Sequence, residues 1–183
     1  MPKTTTWRLL RNSCDGSRMT QDGHWPAPAH AQVDVIRLVL GQFRPEMEER
    51  EWFRLLYDTM REAGDQESRC RIIQSIFEAG VSPNVTGRER HSLLHRLATL
   101  RRISEVDRLK LGELLLDAGA DPDALDNELS STALGWACRY NRPGLVELLL
   151  RRGAGPNHAD VEPWVTPLAW ARRHACPECE RYS

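Results

Sequence analysis

The chain has 183 residues, of which 40% are apolar, and this is enough for one domain with a hydrophobic core. Its 25 basic and 26 acidic residues leave a formal net charge of -1, without the basic excess that nucleic-acid binding favours. With no apolar run near the roughly 18 residues of a membrane span, and with five cysteines that suggest no disulfide framework, we expect a cytoplasmic or nuclear protein without a membrane segment.

The beginning of the chain is predicted to be a disordered tail over residues 1–31, because Pro26, Pro28 and two glycines accompany few aliphatic residues. An organellar transit peptide is the alternative interpretation of its acid-poor first residues. Residues 32–50 are predicted to form an N-terminal capping helix, whose apolar positions lie within Val33–Phe43.

One phrase then recurs three times, each time after an apolar run with helical spacing. Because such runs predict one buried helical stripe per copy, and because glycine is the favoured left-handed C-cap, each phrase marks the end of a helix. A unit this small cannot bury its apolar face alone, so the units are predicted to stack. The copies are Gly80-Val81-Ser82-Pro83-Asn84, Gly119-Ala120-Asp121-Pro122-Asp123 and Gly153-Ala154-Gly155-Pro156-Asn157.

A second landmark follows each phrase and predicts a short helix that begins with a hydroxyl N-cap. The caps are Ser92, Thr132 and Thr166, and Pro167 suits the first helical position because it needs no hydrogen-bond acceptor. After Thr132, a left-handed Asn141 and then Pro143 predict the start of a second helix.

These two landmarks, 34 residues apart at Thr132 and Thr166, resemble those of the ankyrin repeat family, whose unit is a β-turn and two antiparallel helices with the signature T-P-L-H-x-A. Thr166-Pro167-Leu168 keeps the first three signature residues, and His95 keeps the histidine. The resemblance implies an all-α, ankyrin-type helical solenoid of about four repeats, helix pairs with short β-turn fingers, in which the first and last repeats are atypical. The predicted repeat domain covers 51–183, with repeats at 51–84, 85–123, 124–157 and a truncated 158–183.

The chain departs from the family pattern in two places. Ser92 and Thr132 are 40 residues apart, and the six additional residues are expected to lengthen the connection between two helices around Arg101–Arg108. The last repeat stops early in its second helix, which would leave apolar surface uncovered. We expect self-association, a partner or residues beyond this chain to cover that end, and the chain is alternatively the recognition part of a larger enzyme or ligase subunit.

Candidate chemical sites are few. Cys176 and Cys179 form a C-x-x-C pair, but a structural zinc site needs four ligands, so a small metal- or thiol-dependent protein remains the alternative hypothesis. His95 is predicted to stabilise a helix start, and the aspartates between Asp121 and Asp126 to form turns rather than bind calcium. Without a phosphate-binding loop or a nucleophile elbow, we expect no enzyme, no metal and no cofactor.

The resemblance implies a non-catalytic protein–protein interaction module, acting as adaptor, inhibitor or targeting subunit. Its partner would bind on the concave side formed by the fingers and the first helices. Trp136 and Trp170 are predicted to fill the core, and reversing the charges of Arg139 and Arg173 is expected to abolish partner binding without changing the melting temperature. The predicted contact residues are Arg88, Glu89, His91, Thr99, Glu128, Leu129, Ser131, Arg139, Tyr140, Glu162, Pro163, Trp164, Val165, Arg173 and His174.

Overall fold

The computed structural model describes residues 47–61, 65–157 and 162–174, and the chain divides into two compact units, one up to Ser82 and one from Pro83. The described part contains seven α-helices and no β-strand, which confirms the predicted all-α class. The helices are α1 (Glu49–Arg61), α2 (Gln66–Glu78), α3 (Leu93–Thr99), α4 (Glu105–Asp117), α5 (Ala133–Arg139), α6 (Pro143–Arg151) and α7 (Pro167–Arg173).

In the first unit, α1 and α2 pack against each other through apolar side chains such as Leu56 and Ile73. Asp65 caps α2 by accepting hydrogen bonds from the backbone N–H groups of Glu67 and Ser68. Because α1 begins at Glu49, the predicted boundary between residues 50 and 51 falls inside this helix. The predicted tail over 1–31 and most of the predicted capping helix over 32–50 lie outside the described residues.

In the second unit, short first helices form one layer and second helices form another. The first helix α5 contacts both α3 and α7, and the second helices α4 and α6 contact each other. Each second helix also packs on the first helix that precedes it, α4 on α3 and α6 on α5. Stacked helix pairs were predicted from the recurrent landmarks, and this arrangement confirms them.

The three first helices begin as predicted. Ser92, Thr132 and Thr166 each accept a hydrogen bond from the backbone N–H three residues later, at 3.2–3.4 Å. Pro143 and Pro167 occupy the first turns of α6 and α7. Backbone N–H groups in a first turn have no acceptor within the helix, so a proline, which has no N–H, loses no hydrogen bond there. Local capping chemistry therefore fixes where these helices start.

Side chains of the recurrent phrase join successive turns of the second unit. Asn84 donates to the carbonyl of Gly119 at 3.0 Å and accepts from the N–H of Asp121 at 2.7 Å. One repeat later, Asp123 accepts from the N–H of Gly155 at 2.8 Å. In both cases the side chain of the last residue of a phrase accepts from the backbone N–H that lies two residues after the cap glycine of the next phrase. This bond explains why Asn or Asp recurs at the end of the phrase.

The six additional residues after Ser92 mostly extend a helix. The second helix α4 begins six residues before Leu111, whereas α6 begins two residues before Leu145 at the equivalent position. The predicted lengthened connection at Arg101–Arg108 was therefore wrong for Glu105–Arg108, which is helical. The physical reason is a helix cap at Ser104, whose hydroxyl accepts from the N–H of Asp107 at 3.0 Å.

Two arginines close the C-terminal end of α3. The buried Arg108 donates to the carbonyls of Leu97 and Leu100, and Arg142 donates to those of Ala98 and Leu100. Carbonyls at a helix end have no partner within the helix, so the two guanidinium groups satisfy them. Both arginines therefore support the fold.

Candidate partner-binding face

The first-helix layer carries a row of alternating aromatic rings and cations. The guanidinium of Arg139 lies 5.0 Å from the ring centroid of Trp136 and 4.8 Å from that of Trp170. On the same Trp170 ring, the guanidinium of Arg173 lies at 4.9 Å. We call these four residues the Arg–Trp ladder, and it links two successive helix pairs.

The ladder follows from the repeat period and the helical turn. Both its tryptophans and its arginines are 34 residues apart, and an arginine three residues after a tryptophan lies on the same helix side. Trp136 is 4% exposed and Trp170 is 5% exposed, which confirms that they fill the core. A cation over an indole ring contributes roughly 0.5–2 kcal/mol, so the rings hold the guanidinium groups in place.

Arg139 is only partly exposed, and this changes one expectation from the sequence. Its guanidinium contacts two indole rings and lies 6.0 Å from the ring centroid of Tyr140. Reversing its charge would remove these contacts, so an unchanged melting temperature is not expected for that substitution. Arg173 is exposed and contacts one indole ring, so a smaller decrease in melting temperature is expected for its charge reversal.

Hydrogen bonding differs between the two ladder tryptophans. The indole N–H of Trp136 donates to Asp126 at 2.7 Å. The equivalent atom of Trp170 is buried and has no hydrogen-bond partner among the described residues, and the same holds for one terminal nitrogen of Arg139 and for Nδ1 of His91. The first-helix face therefore has buried polar atoms whose hydrogen-bonding capacity is unused.

Asp126 organises the turn before α5. Its carboxylate accepts from the backbone N–H groups of Glu128 and Leu129, both at 2.7 Å, and from that of Ser131 at 3.1 Å. Together with the indole of Trp136, four donors meet one buried carboxylate. The prediction that this aspartate forms a turn is confirmed.

Two buried histidines lie next to the ladder, since His91 contacts the ring of Trp136 and His95 contacts that of His91. His91 approaches Glu128 at 3.1 Å and meets the ring of Trp136 edge-on, with 4.9 Å between centroids. His95 Nδ1 accepts from the N–H of Ser92, and its Nε2 lies 3.0 Å from the carbonyl of Ser131. Burial lowers the pKa of both imidazoles, that of His95 to about 4, so both are neutral near pH 7.

Ser92, His95 and Asp126 come together with the residue types of a catalytic triad. The hydroxyl of Ser92 is 2.7 Å from His95 Nδ1, and a carboxylate oxygen of Asp126 is 3.9 Å from Nε2. All three side chains are buried, and the hydroxyl already caps α3. Because a nucleophile must reach its substrate, this group holds a turn onto a helix start and offers no accessible catalytic site.

Comparison with known proteins identifies the central helix pair. Residues 130–158, which include α5 and α6, match the family model of the ankyrin repeat. Over these residues the chain is similar to an ankyrin repeat. In a comparison with curated proteins, none matched this chain in sequence. An ankyrin repeat implies a protein–protein interaction module, and such repeats are typically non-catalytic.

The helices on either side extend this repeat. The pair α3 and α4 precedes this matched segment in the same two layers, and α7 follows it in the first-helix layer. The helical repeat architecture is of the ankyrin type, as the resemblance implied.

The predicted contact residues differ in how exposed they are. His91, Ser131 and Val165 are buried, so partner contact is not available to them: His91 packs on Trp136, and the Ser131 carbonyl faces His95. For the others, partner contact stays a prediction. The partly exposed residues are Thr99, Leu129, Arg139 and Tyr140. The exposed residues are Arg88, Glu89, Glu128, Glu162, Pro163, Trp164, Arg173 and His174.

The alternative site at Cys176 and Cys179 lies outside the described residues, as does the C-terminal end expected to self-associate. Within residues 47–61, 65–157 and 162–174, no three His, Cys, Asp or Glu side chains are close enough to hold a metal ion. In that same part, burial raises the pKa of the Cys138 thiol to about 12, so it stays protonated. None of the described helices is long and apolar enough to cross a membrane.

Proposed function

We propose that this protein is a non-catalytic adaptor, inhibitor or targeting subunit that binds another protein on the face formed by α5, α7 and the turns before them. The observation that carries the proposal is the Arg–Trp ladder, which presents two guanidinium groups on fixed rings. Arginine and aromatic residues are enriched in the centres of protein interfaces and account for much of the binding energy there.

Three neighbouring side chains extend this surface. Trp164, in the turn before α7, is 51% exposed, which is unusual for a large aromatic residue. Tyr140 stacks on Trp136 with 5.8 Å between ring centroids, and His174 stacks on Trp170 at 5.7 Å. Because stacking restricts these rings before binding, less conformational entropy is lost when a partner orders them.

We also propose that the protein acts in the cytoplasm or the nucleus. The support for this localisation is compositional, since five cysteines in a chain of this size suggest a reducing compartment. Fractionation of cells that express the full chain checks it, and recovery from a secreted or membrane fraction would contradict it.

A quantitative capture experiment tests the binding face. The full chain, the double variant Trp164→Ala with Arg173→Glu and the control Glu147→Arg are immobilised, and captured proteins are compared by mass spectrometry. Both changes of the double variant lie at exposed positions of the proposed face, whereas Glu147 is exposed on the second helix α6. We expect the double variant to lose a protein that the chain and the control both retain. Equal capture by all three proteins would contradict the proposed face.

A further inference from the structure

We propose that Ser104 is a phosphorylation site for an arginine-directed protein kinase, one that selects arginines two and three residues before the serine it modifies. The inference rests on the connection between α3 and α4 and is independent of the proposed binding face. It concerns a covalent modification that changes the charge at one edge of the second unit.

The residues before Ser104 form the charge pattern that such a kinase recognises. Arg101 and Arg102 lie three and two residues before the serine. Ser104 is the only serine or threonine of the whole chain that has arginine at both positions, whereas Ser92 and Thr99 have one arginine there. Kinases distinguish their substrates partly by such charge patterns, so the paired cations favour this hydroxyl over the others.

The pattern lies in a connection that is longer than its counterpart in the next helix pair. Five residues, Leu100–Ser104, separate α3 from α4, whereas three residues, Tyr140–Arg142, separate α5 from α6. Arg101, Arg102 and Ser104 are all exposed, and the backbone of Ser104 is extended, with φ -68° and ψ 157°. An enzyme that modifies a side chain needs an exposed, non-helical segment to bind, and this connection provides one.

The Ser104 hydroxyl is more accessible than other hydroxyls that cap helices in this unit. Its oxygen accepts a hydrogen bond from the N–H of Asp107 at 3.0 Å, and no described residue accepts a hydrogen bond from it. Ser92 and Thr132, which cap α3 and α5, are buried. Of these three cap hydroxyls, only that of Ser104 can enter the active site of another enzyme.

The modification is a phosphoryl transfer from a nucleoside triphosphate. The bond between the γ-phosphorus and the β,γ-bridging oxygen breaks, a bond forms between this phosphorus and Ser104 Oγ, and the hydroxyl proton passes to a base of the kinase. The products are phosphoserine, which carries about two negative charges, and a nucleoside diphosphate.

The fold can accommodate the phosphate. Ser104 is the N-cap of the 13-residue helix α4, and negative charge is favourable at a helix N-terminus. The neighbouring Glu105 already pairs with Arg108 at 3.1 Å, which reduces its repulsion of a second anion. We therefore expect the modified chain to remain folded.

Phosphorylation of the full chain by a purified kinase of this specificity, with a magnesium nucleoside triphosphate, tests the inference. We expect stoichiometric modification at Ser104, located by mass spectrometry of proteolytic peptides. The double variant Arg101→Gln with Arg102→Gln should be modified about ten-fold more slowly or worse, because it loses both charge contacts with the kinase. The matched control Arg88→Gln with Arg90→Gln removes two exposed arginines in another turn and should leave the rate unchanged.

The variant Ser104→Asn removes the acceptor without removing the helix cap, because asparagine is as good an N-cap as serine. We expect it to remain folded and unmodified. Phosphate found only on other residues, or equal rates for the two double variants, would refute the inference. Absence of modification under conditions in which a synthetic peptide of residues 97–108 is modified would refute it as well, because the fold would then withhold the site. In cells that express the full chain and the active kinase we expect the same phosphopeptide, and its absence would contradict the proposed site.

Discussion

His95 is neutral in the folded protein because burial lowers the pKa of its imidazole from 6.5 to about 4. The unfolded chain takes up a proton near pH 6.5, so between pH 6.5 and 4 the unfolded state binds more protons than the folded state. The free energy of unfolding must then fall with falling pH. His91 acts in the same direction because burial lowers its pKa as well.

We therefore predict a loss of stability on the order of 3 kcal/mol between pH 7 and pH 4. Urea unfolding at intervals of one pH unit measures it. A free energy of unfolding that stays constant from pH 7 to pH 4.5 would contradict the neutral buried histidines.

Asp126 accepts four hydrogen bonds that hold the turn before α5 and the indole of Trp136 in place. Burial opposes its ionisation, but hydrogen bonds from Trp136 and the backbone lower the pKa of its carboxyl overall, so it is charged at neutral pH. Asp126→Ala leaves buried donors unsatisfied and should reduce the free energy of unfolding by about 3 kcal/mol or more. Asp121→Ala, at an exposed position, should cost less than about 1 kcal/mol in the same urea titration. Similar decreases in the free energy of unfolding for the two variants would show that the hydrogen bonds to the buried carboxylate of Asp126 add little stability.

At the scale of the helices, the recurrent glycines act through backbone conformation alone. Gly153 has φ +88°, and a Cβ added there would meet no other atom within 4 Å. Gly153→Ala should therefore reduce stability by about 1–2 kcal/mol, purely from the left-handed backbone. Gly155→Ala, two residues later, lacks a positive φ and places its Cβ 3.6 Å from Asp123, an ordinary contact, so it should change little. Thermal melting of the two variants compares them, and equal melting temperatures would refute the conformational argument.

Sequence reasoning identified the features of these helices that depend on neighbouring residues in the chain. The caps at Ser92, Thr132 and Thr166 and the left-handed Asn141 needed only local chemistry, and the structure has them. The cap at Ser104 is a local signal as well, and it decides how many of the six additional residues are helical. The expectation of a longer connection did not take this cap into account.

The candidate site was less accessible to sequence reasoning because it depends on contacts between repeats. His91, Ser131 and Val165 were assigned to the surface by position, although the turn folds them inward. The Arg–Trp ladder was present as a Trp-x-x-Arg pattern at a spacing of 34 residues, but which ring each arginine contacts follows only from stacking. For the same reason, the cross-turn bond of Asp123 could not be predicted from its own turn.

Within the second unit, we expect a helix in the middle of the stack to be more stable against local opening than a helix at its end. In repeat architectures each unit is stabilised mainly by its immediate neighbours. The helix α5 contacts α3, α6 and α7, whereas α3 contacts α4 and α5. We predict that backbone amides of α5 exchange with solvent more slowly than those of α3 or α7, and hydrogen–deuterium exchange with mass spectrometry measures this. Faster exchange in α5 than in α7 would contradict a stack stabilised by neighbours.

A truncation in α5 shows whether the neighbouring helices depend on it. Leu134 is 1% exposed, so Leu134→Ala should cost about 2–5 kcal/mol and accelerate amide exchange in α3 and α7 as well as in α5. Val106→Ala on α4 is the matched control, because its side chain is 60% exposed and its removal should leave exchange unchanged. Acceleration confined to α5 would mean that each helix opens independently. In that case the rings of Trp136 and Trp170 would not share one cooperative unit, and the guanidinium of Arg139 between them would not be held rigidly before a partner binds.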